Sequence, residues 1–123
     1  MKLEVGMYVR TNLGIAKIIS SEKNHLGNEF LLDKEIIDTH EDYYTNYMYD
    51  YKFYLEQIIK TSHNIMELIE VGDYVNGEKV LLANEGHIKV GTGRDYIVFN
   101  NEKFIKSIVT KETFESMSYK AGE

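Results

Sequence analysis

The sequence predicts a mainly β protein with short helices, built from two tandem copies of one small unit. Three observations predict it. Leu3-Glu4-Val5-Gly6-Met7-Tyr8-Val9 returns as Ile69-Glu70-Val71-Gly72-Asp73-Tyr74-Val75, with five of seven positions identical, and self-similarity of this kind marks a repeated structural unit. Each copy continues as short apolar runs separated by Gly and Asn turn signals. Each then closes on an apolar stretch headed by Thr or Ser, Thr61 to Leu68 and Thr110 to Met117, the signature of a capped short helix. The predicted domains are residues 1–68 and 69–123. A single α+β domain is the alternative.

In the first copy, Val5, Met7 and Val9 alternate with Glu4, Tyr8 and Arg10, so Leu3 to Thr11 reads as a strand of period two. Asn12-Leu13-Gly14 reads as a turn and Ile15 to Ile19 as the returning strand. Ser20 to Asn28 is polar, with Gly27-Asn28 as a second turn signal. Glu29 to Asp33 is a third short strand. Phe53 to Lys60 suits either a strand or the start of a helix. In the second copy, Asn76-Gly77 between Tyr74-Val75 and Lys79 to Leu82 is a strong two-residue hairpin signal. Asn84-Glu85-Gly86 is a turn and His87 to Val90 a strand. Gly91 to Asp95 is a loop, Tyr96 to Phe99 a strand, Asn100 to Glu102 a turn, and Phe104 to Val109 the last strand.

The openings of the two copies lie 66 residues apart and their closing helices 49. The first copy therefore holds 17 extra residues, as expected for a surface insertion in a duplicated scaffold. An acidic, tyrosine-rich stretch, about residues 33–56, falls in that interval. It carries seven acids and two bases, most of the net charge of −6. Six of the ten tyrosines lie between residues 43 and 54. Tyrosine offers an apolar face and a polar tip at low entropic cost, which enriches it at interfaces. Neighbouring carboxylates complement Arg or Lys, and Arg both pairs with acids and stacks on rings. The predicted partner-binding residues are Asp38, Glu41, Asp42, Tyr43, Tyr44, Tyr47, Tyr49, Asp50 and Tyr51. The competing reading packs these tyrosines on the scaffold or on a second subunit.

Composition excludes several chemistries. There is no Cys, which removes disulfides, thiolate catalysis and cysteine-ligated zinc. No apolar run reaches the roughly 20 residues of a bilayer span, and the opening residues lack the apolar core of a signal peptide. A soluble protein of the cytoplasm is expected. No two of His25, His40, His63 and His87 have metal-site spacing, and His40-Glu41-Asp42 is only a weak metal corner. Ser20, Ser21 and Ser62 lack a nucleophile-elbow context. No catalytic residue, cofactor or metal is expected. Gly91-Thr92-Gly93-Arg94 could cradle a phosphate, but it lacks the third Gly and following helix of a dinucleotide site and reads better as a hairpin loop.

Two resemblances add to this reading. The strand carrying Val-Gly-x-Tyr-Val, followed by short strands and one helical turn, resembles the SH3-like small β-barrels of tandem binding modules. That resemblance implies two SH3-like barrels and a binding scaffold with no particular ligand. The segments KLEVGMYVRT, IIKTSHNIMELIEVGDYVNGEKV and IVTKETFESMSYKAGE look like small phage and prophage proteins of low-GC Gram-positive bacteria. This resemblance implies a non-catalytic inhibitor of a bacterial nuclease or defence complex, of anti-CRISPR type, acting through the acidic tyrosine surface on a basic partner. A second expectation is sequestration of a nucleotide signal, with Arg10 and Arg94 on its phosphates. A third is a nucleic-acid-binding module using Lys17, Lys79, Lys89, Lys103 and Lys106, against which the net charge argues. A homodimer is compatible with all three.

Overall fold

Each copy of the repeated heptapeptide opens with a turn. The structure, a computed structural model, describes residues 2–39, 41, 43–84 and 86–117, with side chains through 115. Gly6 and Gly72 adopt φ of +95° and +98°. The Met7 N–H donates to Glu4 O at 3.2 Å, and the Asp73 N–H to Glu70 O at 3.1 Å. A positive φ at the third position of a four-residue turn favours Gly, which has no Cβ to clash. Beyond the turn, the Ile18 N–H donates to Met7 O and the Val80 N–H to Asp73 O, both at 2.8 Å. The same words of sequence therefore make the same hydrogen bonds twice. This corrects the strand expected from Leu3: the first strand begins at Tyr8, and Val5 and Val71 are exposed turn residues.

The chain divides into two compact units, Met1–Leu68 and Ile69–Glu123. The first contains β1 (Tyr8–Thr11), β2 (Gly14–Asn24), β3 (Gly27–Leu32), β4 (Ile37–Asp38), β5 (Tyr44–Thr45), β6 (Tyr47–Tyr49), helix α1 (Lys52–Leu55), β7 (Lys60–Ser62) and a 3-10 turn, Ile65–Leu68. Its main sheet is antiparallel in the order β6-β3-β2-β1-β7, and β4 pairs with β5 alone. The second contains β8 (Tyr74–Val75), β9 (Glu78–Asn84), β10 (His87–Gly91), β11 (Tyr96–Phe99), a 3-10 turn (Glu102–Phe104), β12 (Ile108–Val109) and helix α2 (Lys111–Met117). Its sheet runs β11-β10-β9-β8-β12. In both sheets a four-strand meander is flanked by a fifth strand beside the first. The fold is mainly β, and neither sheet closes into a barrel.

Local chemistry sets the bounds of the individual elements. Asn76 and Gly77 both have positive φ, 52° and 80°, which the two-residue hairpin turn requires. Asn76 also accepts from the Lys106 and Ser107 N–H groups through Oδ1, tying the approach to β12 to this turn. The polar run after Ser20 belongs to β2, which continues to Asn24; its outer half is largely solvated, so no apolar alternation marks it. The last strand shrinks from Phe104–Val109 to two residues because Asn101 Oδ1 caps the Lys103 N–H and starts a 3-10 turn. Helix α2 is capped by Thr110, whose Oγ1 accepts from the Thr113 N–H at 3.3 Å. In the first unit Asn64 rather than Thr61 or Ser62 caps the closing turn, through Oδ1 and the Met66 N–H.

The first core gathers Val9, Ile18, Phe30, Leu32 and Met48, together with Ile36 and Ile37 of the inserted stretch. The insertion is therefore partly interior. At the unit's other end, Glu4 accepts from or pairs with His63 Nε2 at 2.9 Å. The His63 hydrogen bond, followed by its charge, holds the Glu4 carboxyl below its ordinary pKa. A depressed carboxylate adds stability above its ordinary range, lost as pH falls through the lower folded-state value. H63A is expected to return the Glu4 titration to the ordinary carboxylate range in an NMR pH series.

Candidate functional site

Asp38 and Tyr44 face each other across the β4–β5 pair, as do Ile37 and Thr45. Opposed residues share a face, and successive residues alternate. Burial of Ile37 therefore turns Asp38 and Tyr44 outward together. Thr39 closes the connecting loop by donating its hydroxyl to Tyr43 O at 2.8 Å. Gln57 fixes the outer edge of β4: its Oε1 accepts from the Asp38 N–H at 2.8 Å and its Nε2 donates to Asp38 O at 3.0 Å. This amide completes the edge as a neighbouring strand would.

Phe53 lies in helix α1, Glu56 is its C-cap and Gln57 follows; their i, i+3, i+4 spacing puts them on one side of this helical turn. Together with Asp38 and Tyr44 they line a cleft of about 390 Å³. Its far wall is Thr11, Asn12 and Leu13 of the β1–β2 turn, with Ile36 and Ile59. Thr11 is buried and donates to Ile36 O at 2.8 Å, holding that wall in place. The cleft thus presents two rings and two carboxylates. Such an environment attracts a guanidinium or ammonium group, through ion pairs at the rim and the negative ring faces.

The predicted partner-binding residues separate into two groups. Asp38, Glu41, Tyr43, Tyr44 and Tyr47 are exposed, the tyrosines at 54%, 54% and 48%. Tyr49, Asp50 and Tyr51 instead hold the β2–β3 hairpin. The Tyr49 hydroxyl donates to Glu29 Oε2 at 3.3 Å, Asp50 Oδ2 accepts from Asn28 Nδ2 at 3.1 Å, and the Tyr51 hydroxyl donates to Leu26 O. The Tyr49 and Tyr51 rings stack at 5.1 Å, with Tyr54 beside both. Partial burial, and then the charge of Glu29, push the Tyr49 hydroxyl above its ordinary pKa. These three side chains thus brace the hairpin, and Asp50 and Tyr51 are at the same time exposed. Asp42 lies outside the described residues.

The sequence does not single out Phe53, Glu56 and Gln57, because Phe53 to Lys60 suits a strand as well as the start of a helix. Their helical spacing was the available signal. Other sequence candidates are placed as follows. Arg10 is fully buried and donates through Nη1 to Leu68 O at 2.9 Å. In the Gly91–Asp95 loop, Thr92 Oγ1 accepts from the Arg94 and Asp95 N–H groups, so these amides are turned toward their own loop. The loop lines a cleft that also holds Glu78 and Asp95, a poor setting for an anion. Lys89 lies 3.9 Å from the Tyr96 ring centroid and Lys103 5.6 Å from that of Phe104. His40 and Asp42 of the weak metal corner lie outside the described residues, and among those described no three His, Asp or Glu side chains converge on a metal site.

Among the described residues no helix is long and apolar enough to cross a membrane. Comparison of the chain with family models, curated proteins and solved structures gives no match.

Proposed function

We propose that this is a non-catalytic binding protein whose first unit docks a basic protein surface through the cleft bounded by Asp38, Tyr44, Phe53 and Glu56. The observation that carries this reading is the convergence of two carboxylates and two rings on one cleft, with Tyr43, Tyr47 and Glu41 exposed nearby on the same inserted stretch. An Arg or Lys of the partner enters the cleft, and the exposed tyrosines supply rigid apolar contact around it. The scaffold is read as two SH3-like repeats, a meander plus a fifth strand, with one repeat carrying the binding insertion.

The partner's class follows from the charge and from the resemblance to phage proteins. A surface rich in Arg and Lys serves most often to hold nucleic-acid phosphates. An acidic protein that occupies it blocks that use, so the partner is a bacterial nuclease or defence complex of CRISPR-effector type, inhibited stoichiometrically in the host cytoplasm.

The test is capture of partners from a Gram-positive lysate by the tagged protein, with nuclease activity assayed on the captured fraction. Affinity for the captured protein is then measured for D38K/E56K and for Y44A. Loss of about 2 kcal/mol at such an anchor corresponds to roughly 30-fold weaker binding. The expected result is a loss of that size or larger, steep salt dependence in the wild type, and unchanged far-ultraviolet circular dichroism. Undiminished binding by the folded variants overturns the assignment of the cleft.

A further inference from the structure

The outer strand of the second sheet is apolar on both faces. Tyr96, Ile97 and Val98 of β11 are exposed at 52%, 58% and 45%, and among the described residues β11 ends its sheet with only β10 beside it. The first unit treats the matching place differently. Where Ile97 sits opposite Val90, the first sheet has Asn46 opposite Leu32, bonded to the Leu32 backbone through Nδ2 at 3.2 Å. An exposed Ile at that position does nothing for the core it borders. β11 also carries no Lys or Pro, the usual guards of a free edge.

The direction of the free backbone groups follows from the register. Asn84 and His87 close the β9–β10 hairpin, and Thr92 and Asp95 close the next, with the Thr92 N–H donating to Asp95 O at 2.8 Å. Alternation along the antiparallel pair then makes 90/97 and 88/99 the hydrogen-bonded pairs. Tyr96 and Val98 therefore direct their N–H and C=O groups away from β10, toward the open edge.

We propose that β11 pairs antiparallel with β11 of a second copy of this chain, with Val98 opposite Val98 on the two-fold axis. This register joins outward groups to outward groups: Val98 to Val98, and Tyr96 to Asn100. It places Ile97 of each copy opposite Phe99 of the other, covering the core-side apolar face. A twofold interface needs such self-complementarity, because every contact is made twice. The result is one ten-stranded sheet across two second units.

Sedimentation equilibrium of the full chain over a wide concentration range tests this, and a reversible monomer–dimer equilibrium is expected. V98P removes an N–H that its own sheet does not use, and Pro is tolerated on an edge. Losing the paired bonds at the axis is expected to weaken the dimer about 100-fold, with the circular dichroism and melting curve of the monomer retained. I97K, at an exposed position, gives the same loss by a route that does not alter the backbone. A chain that stays monomeric throughout, or a dimer indifferent to V98P and I97K, overturns the proposal.

Discussion

Replacing Arg10 by Ala is expected to unfold most of the first unit. Arg10 is the largest side chain fully removed from solvent, and its guanidinium donates to Leu68 O, the last carbonyl of the closing 3-10 turn. Truncation opens a cavity and leaves a buried carbonyl without that donor. Truncating a large buried side chain costs about 2–5 kcal/mol, and a buried acceptor left without its donor adds about 1–3 kcal/mol. A unit of this size has a total stability of roughly 3–10 kcal/mol at the usual value per residue, so the loss removes much or all of it. Urea unfolding followed by tyrosine fluorescence measures the loss directly, since the chain has ten Tyr and no Trp. R10M is expected to be milder than R10A because it fills the space without burying a charge. Equal midpoints for wild type and R10A would show that Leu68 is held by other means.

Asp73→Ala is expected to cost the second unit about 3 kcal/mol, the sum of two charge-assisted hydrogen bonds at the lower end of their range. Asp73 is fully buried. Its Oδ2 accepts from the Glu70 N–H at 2.8 Å and its Oδ1 from the Lys111 N–H at 2.9 Å. One carboxylate thus holds the opening turn of the unit and the first residue of α2. Lys111 Nζ reinforces the link by donating to Glu70 Oε1 at 2.8 Å. With α2 released, the ring of Phe114 leaves Tyr74, on which it stacks at 4.4 Å. The informative companion is D73M, which installs the residue that the first copy has at this place. It keeps the bulk but not the acceptor, and is expected to lose as much as D73A. Chemical denaturation checks both, and a D73M as stable as wild type would refute the account.

That residue also shows how far the sequence could be read. Apart from Leu3/Ile69, Met7/Asp73 is the one difference within the repeated heptapeptide, and nothing in the local pattern distinguishes an exposed Asp from one that caps a helix 38 residues away. Arg10 is similar: a lone Arg in an alternating strand reads as solvent-facing, and its burial depends on a carbonyl 58 residues later. Asn76-Gly77 was legible because its turn depends on two adjacent residues. The inserted stretch was legible as an excess of acid and tyrosine. Its division into scaffold and surface was not, because Tyr49 and Tyr51 differ from Tyr44 and Tyr47 only in what the β2–β3 hairpin places beside them.

The sequence by itself determined the recurring heptapeptide, the mainly β character, the hairpin turns and the place of the acidic, tyrosine-rich stretch. Each is encoded locally, by residues whose backbone preference or periodicity acts within a few positions. Only the tertiary structure decided which tyrosines are free, that Phe53, Glu56 and Gln57 join Asp38 and Tyr44 around one cleft, and that β11 keeps an open edge. These depend on hydrogen bonds and burial between segments far apart in the chain, where neither propensity nor spacing carries information.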